Sequence, residues 1–117
     1  MLEIKGKFRV NCELKRHLSP KTVGMISRSI PLKGNVHRFG ASGIYFGIQI
    51  TSGVERPRNE FKRGDIAFYP VGNCICFFYN DSKQAKVMTP IGKMVTGVDD
   101  LLQANIGDEI LFYVDTG

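Results

Sequence analysis

The sequence has no tryptophan, two histidines and three cysteines. It also lacks any run of about 18 apolar residues, so no membrane-spanning helix is expected. The first ten residues, MLEIKGKFRV, alternate charged and apolar side chains and contain no apolar stretch of the kind a secretory signal needs. A cytoplasmic location is expected. Nothing pairs His17 with His37, and Cys12, Cys74 and Cys76 do not form a four-ligand spacing, so no metal site is expected. An odd number of cysteines without a secretory signal argues against a disulfide framework, and buried, reduced thiols are expected instead. There is no Ser-His-Asp order, no P-loop, no HExxH pattern and no glycine-rich dinucleotide turn. Acid–base and nucleophilic chemistry therefore have little support, and no cofactor is implied.

What is present suits a small β protein. The chain has 117 residues, of which 43% are apolar and 23% charged. That is enough for one core, and a single domain over residues 1–117 is expected. Thirteen glycines and little helical periodicity favour a turn-rich, β-rich fold. The net charge of +5 is unevenly spread: residues 1–63 carry 13 basic and 4 acidic side chains, residues 64–117 carry 3 and 7. Such asymmetry can mark a nucleic-acid partner. The basic residues are scattered rather than gathered in a tract, so this is the least favoured of the functional readings.

Periodicity locates the elements. Leu2 with Ile4, and Phe8 with Val10, fit two short strands broken near Gly6, and Cys12 and Leu14 continue the second alternation. Ser19-Pro20 is a helix start, with a serine N-cap and proline at the first helical position. Val23, Ile26 and Ile30 follow at helical spacing, and Pro31 ends the helix. Ile44, Phe46, Ile48 and Ile50 give a strand with one apolar face, leaving Tyr45 and Gln49 on the other. Residues 52–64 read as a charged loop, residues 65–69 and 74–79 as a hairpin, and residues 80–86 as a polar loop. Another strand follows around Val87 to Val95, bent at Pro90 or Gly92. A short helix at residues 98–103 and a final strand in GDEILFYV complete a count of about eight strands and two short helices. Met88, Met94, Phe68 and Phe112 read as core or barrel lining. Regularly spaced short strands point to a mostly β fold, a closed or nearly closed barrel.

One kind of catalysis needs none of the missing motifs. Prolyl isomerisation breaks no covalent bond, and its barrier of about 18–20 kcal/mol is amide resonance. A catalyst needs an apolar pocket for the ring, a donor aimed at the prolyl nitrogen and a polar group to orient the carbonyl. Arg38, Phe78 and Gln49 are of those types.

The order of motifs resembles the cyclophilins. SPKT (19–22) before a helix and VHRF (36–39) are similar to the PKT, helix and FHR pattern. CFFY (76–79) resembles the QFFI strand, and IGKMVTGVDDLL (91–102) the FGKV-x-EGM segment with its short helix. ERPRNEFKRGDIAFYPVGNCICFFY (55–79) is closer still to the signature of the small prokaryotic single-domain cyclophilin-like proteins. The resemblance covers nearly the whole chain and implies a cyclophilin-like closed β-barrel. It places Arg38 at the catalytic arginine and Phe78 at a pocket phenylalanine. Where cyclophilins have a phenylalanine and a glutamine five and eight residues after that arginine, this chain has Gly43 and Phe46; the nearest substitutes are Tyr45 and Gln49. The pocket tryptophan and the downstream histidine have no counterpart. The expected site is therefore an outer-face groove formed by His37, Phe39, Tyr45, Gln49 and Phe78. Binding of a proline-containing peptide or small ligand is placed ahead of weak isomerisation by Arg38.

Overall fold

The structure is a computed structural model and describes residues 1–114; the last three residues of the expected domain lie outside it. Among these residues are eleven strands, one α-helix and one 3₁₀ helix. Alternation sets the first strands. Leu2 and Ile4 are buried in β1 (Leu2–Ile4), Gly6 turns the chain at φ +77°, and β2 (Phe8–Val10) returns beside β1. After β3 (Cys12–Leu14), helix α1 (Pro20–Ser29) buries Val23 and Ile26 and stops ahead of Pro31. Ser19 occupies the N-cap position, but its hydroxyl donates to the carbonyl of Leu18 at 2.7 Å and caps nothing. The first-turn N–H groups of Lys21 and Thr22 instead donate to the Glu55 carboxylate at 3.2 and 2.8 Å.

The remaining strands are β4 (Leu32–Asn35), β5 (His37–Phe39), β6 (Gly43–Gly47), β7 (Arg58–Phe61), β8 (Asp65–Tyr69), β9 (Cys74–Phe78), β10 (Ser82–Met94) and β11 (Glu109–Phe112). The expected hairpin is β8–β9, with Tyr69 opposite Cys74. Two expected loops are partly strand. β7 lies within residues 52–64, and β10 already begins at Ser82 and pairs with β7. A ladder is made by backbone groups, so these mostly polar arms, with Phe61 their one large buried side chain, leave no alternating apolar signature in the sequence. The bend expected near Pro90 and Gly92 is a register shift between those two residues in the pairing of β10 with β8.

The expected closed barrel of about eight strands does not form. The strands make two sheets, one of four in the order β2-β1-β11-β4 and one of seven in the order β3-β10-β8-β9-β6-β5, with β7 on β10. Closure needs an unbroken ladder around the wall. Here the edge strand β2 runs into the edge strand β3 through Asn11, and β4 runs into β5 through Val36. Each seam is thus a covalent corner at which the chain changes sheet.

The core lies between the sheets. Phe46 stacks on Phe77, and Phe77 meets Phe112 of the smaller sheet edge-on, with centroids 5.7 Å apart. Ile44, Ile66, Phe68, Ile75, Ile91 and Met94 join them from the larger sheet, and Leu2, Ile4, Val10 and Ile110 from the smaller. A second cluster, Phe61, Ala67, Cys74, Cys76, Phe78 and Met88, is packed on the other face of the larger sheet. That outer cluster positions the candidate site.

Candidate functional site: an aromatic groove on the outer sheet face

Period-two alternation sends neighbouring residues to opposite faces. On β9, Ile75 and Phe77 enter the main core, while Cys74, Cys76 and Phe78 face outward. Register then builds rows across the sheet. One row runs His37, Tyr45, Cys76, Ala67; a second runs Phe39, Gly43, Phe78; a third runs Gly47, Cys74, Tyr69. The rows form a groove of about 480 Å³ lined by Phe39, Tyr45, Tyr69, Cys74, Cys76 and Met88, with Gln84 and Lys86 also on its wall. Its exposed lining is mainly apolar and aromatic, the usual character of a small-ligand site. Another concavity, over β1, β4 and β11, is lined by Glu3, Lys5, Lys33 and Glu109, and its Lys5–Glu109 pair is already closed at 3.2 Å.

The expected site residues divide. Phe39 and Tyr45 line the groove. His37 is exposed and stacks on Tyr45 with centroids 5.2 Å apart. Phe78 is fully buried beneath, stacked on Phe61 at 4.7 Å and edge-on to Phe39 at 5.2 Å. Gln49 is exposed beyond the end of β6 and is not part of the groove lining. Arg38 lies opposite Ile44 and so shares that residue's face, away from Tyr45. Its Nη1 donates to the Tyr79 hydroxyl at 2.9 Å, its Nη2 donates to the Ala104 carbonyl, and its guanidinium lies over the Tyr79 ring.

Sequence reasoning missed Tyr69, Met88, Gln84 and Lys86. Tyr69 had a signal, since it alternates with the core residue Phe68. Gln84 and Lys86 had none, because the start of β10 read as a loop. The three cysteines are free, as expected, and Cys74 and Cys76 are buried. Their Sγ atoms lie 3.9 Å apart. The contact with Cys76 lowers the pKa of the Cys74 thiol, while the same contact, together with burial, raises that of Cys76. Among the described residues no three His, Cys, Asp or Glu side chains gather as a metal site. No helix among them is long and apolar enough to cross a membrane.

Comparison with known proteins agrees with this architecture. A hypothetical protein from Archaeoglobus fulgidus, known from its solution structure, superposes with a TM-score of 0.74 at 23% identity, over 94% of this chain and 88% of that one. At that identity the likeness is one of fold. No curated protein matches. The model of the cyclophilin-like family matches residues 1–113, nearly the whole length, and the chain belongs to that family.

Proposed function

We propose that the outer groove binds a proline-containing peptide or a similarly apolar small ligand, without turnover. The observation that carries this reading is the lining itself: the rings of Phe39, Tyr45 and Tyr69 around a concavity of about 480 Å³. A pyrrolidine ring is compact, apolar and already conformationally restricted. It can bury its face on aromatic rings at low entropic cost. Gln84 and Lys86 supply polar groups at the same wall to fix orientation.

The position of Arg38 supports binding over isomerisation. An isomerase needs a donor aimed at the bound prolyl nitrogen. The Arg38 guanidinium is engaged with Tyr79 and Ala104 on the face opposite the groove. The pairing of bases in the first half of the chain with acids in the second supports leaving nucleic acid aside. Free thiols suit a reducing compartment and support a cytoplasmic location.

The test is a titration with a Phe-Pro peptide followed by tyrosine fluorescence, run beside a prolyl cis/trans assay on the same peptide. Tyr45→Ala should weaken binding at least tenfold. Arg38→Ala should change it less than about twofold, and no variant should accelerate isomerisation above background. A rate above background that disappears in Arg38→Ala would overturn the reading in favour of the isomerase.

A further inference from the structure

We propose that Cys74 and Cys76 form a binding site for a soft monovalent metal ion of the copper(I) class in the wall of the groove. Both thiols line the groove, yet they are only 6% and 3% exposed, so an ion held there is shielded from bulk water. They sit two residues apart on β9 and share a face, which fixes the pair without a flexible loop. Their 3.9 Å separation suits two sulfurs on one ion. With metal–sulfur bonds of about 2.3 Å, that separation corresponds to an S–metal–S angle of about 116°, close to trigonal. A third position then remains for a neutral ligand from the groove. The Met88 thioether lies in the same buried cluster and lines the same groove.

Charge and softness select the ion. Thiolate and thioether donors favour copper(I), whereas carboxylate and carbonyl sets favour hard divalent ions. Among the described residues the groove wall carries no Asp or Glu. Uptake forms two metal–sulfur bonds, releases the two thiol protons and changes no oxidation state. The product carries one net negative charge at the dithiolate. Lys86, on the same wall and without an ion pair among the described residues, offsets it. The proposal does not depend on peptide binding, since the ion would occupy the sulfur pair whether or not the aromatic walls hold a ligand.

The experiment is an anaerobic titration of the reduced protein against the coloured bicinchoninate complex of copper(I), with no peptide present. Wild type and Cys12→Ser should each withdraw one equivalent per chain. Cys74→Ser and Cys76→Ser should bind at least a hundredfold more weakly. X-ray absorption on the loaded wild type should show an all-sulfur shell, which keeps the proposal testable if a serine variant fails to fold. Failure of the wild type to withdraw copper, loss of uptake in Cys12→Ser, retention in both other variants, or a nitrogen and oxygen shell would each overturn it. The peptide titration is a separate measurement, so either reading can fail without the other.

Discussion

Gly43 has no room for a side chain. A Cβ there would lie 2.1 Å from the Phe77 carbonyl oxygen and 3.0 Å from the Phe39 ring. The first obstacle is backbone and cannot rotate away. The empty position also lets Phe39 and Phe78, its register neighbours on either side, meet edge-on. Gly43→Ala should therefore separate β6 from β9 and displace the groove wall together. Overpacking of this kind costs about 1–3 kcal/mol. The expected result is a lower urea midpoint with weaker peptide binding; an unchanged midpoint would show that the strands yield at no cost. Arg38 illustrates the opposite situation, in which a residue of the right type is occupied elsewhere. Its bonds to Tyr79 and Ala104 tie β5 to the residue after β9 and to the residue after the 3₁₀ helix (Val98–Gln103).

Among the elements, α1 has the clearest dependence on a distant residue. Its N-terminal amides are satisfied by Glu55, 33 residues downstream of Thr22. The N–H of Thr22, and then that of Lys21, hold the Glu55 carboxyl below its ordinary pKa of 4.5. A carboxyl depressed in the folded state stabilises above its unfolded pKa, and that contribution is lost as pH falls through the folded value. Glu55→Gln should therefore lower the melting temperature at pH 7. The difference from wild type should shrink below about pH 4.5. A gap of constant size down to pH 2 would mean that the carboxylate charge is not the cause. The pattern of a helix start, Ser19-Pro20, correctly placed the boundary, but the capping group could not be read locally because it arrives through the loop before β7.

For the whole molecule, an aromatic contact at the centre of the shared core links the two sheets. Phe77 stacks with Phe46 in its own sheet and meets Phe112 of the other. Phe77→Ala should cost about 3–5 kcal/mol, a large share of the roughly 5–15 kcal/mol that holds a domain together. Tyrosine fluorescence and far-ultraviolet circular dichroism should still report one coincident transition, shifted down. Two separated transitions would show that the sheets unfold independently. Folding also cancels much of the charge asymmetry along the chain. Lys5 pairs with Glu109, Lys7 with Asp108, Arg58 with Asp65, Lys62 with Asp81 and Arg63 with Asp99. Apart from Arg58–Asp65, whose carboxylate is buried, these pairs are at least partly exposed and add little stability individually. They do place acids among the bases that a nucleic acid would need.

The sequence by itself determined most of the apolar residues that face inward, and with them most of the strands, the bounds of α1 and the β8–β9 hairpin. Alternation and helical spacing are local properties of a chain, and Ile44, Phe46, Val23 and Ile26 display them without reference to anything distant. The order of its motifs also carried the family. It could not reveal β7 or the start of β10, whose side chains are mostly polar, Phe61 apart, and whose hydrogen bonds come from the backbone. Only the tertiary structure decided that the chain turns corners at Asn11 and Val36 instead of closing a barrel. It alone turned Arg38 away from the outer face, left Gln49 beyond the end of β6, and brought Tyr69 and Met88 beside Cys74. A groove is made of side chains from separate strands, and their register is set by long-range pairing that no local pattern records.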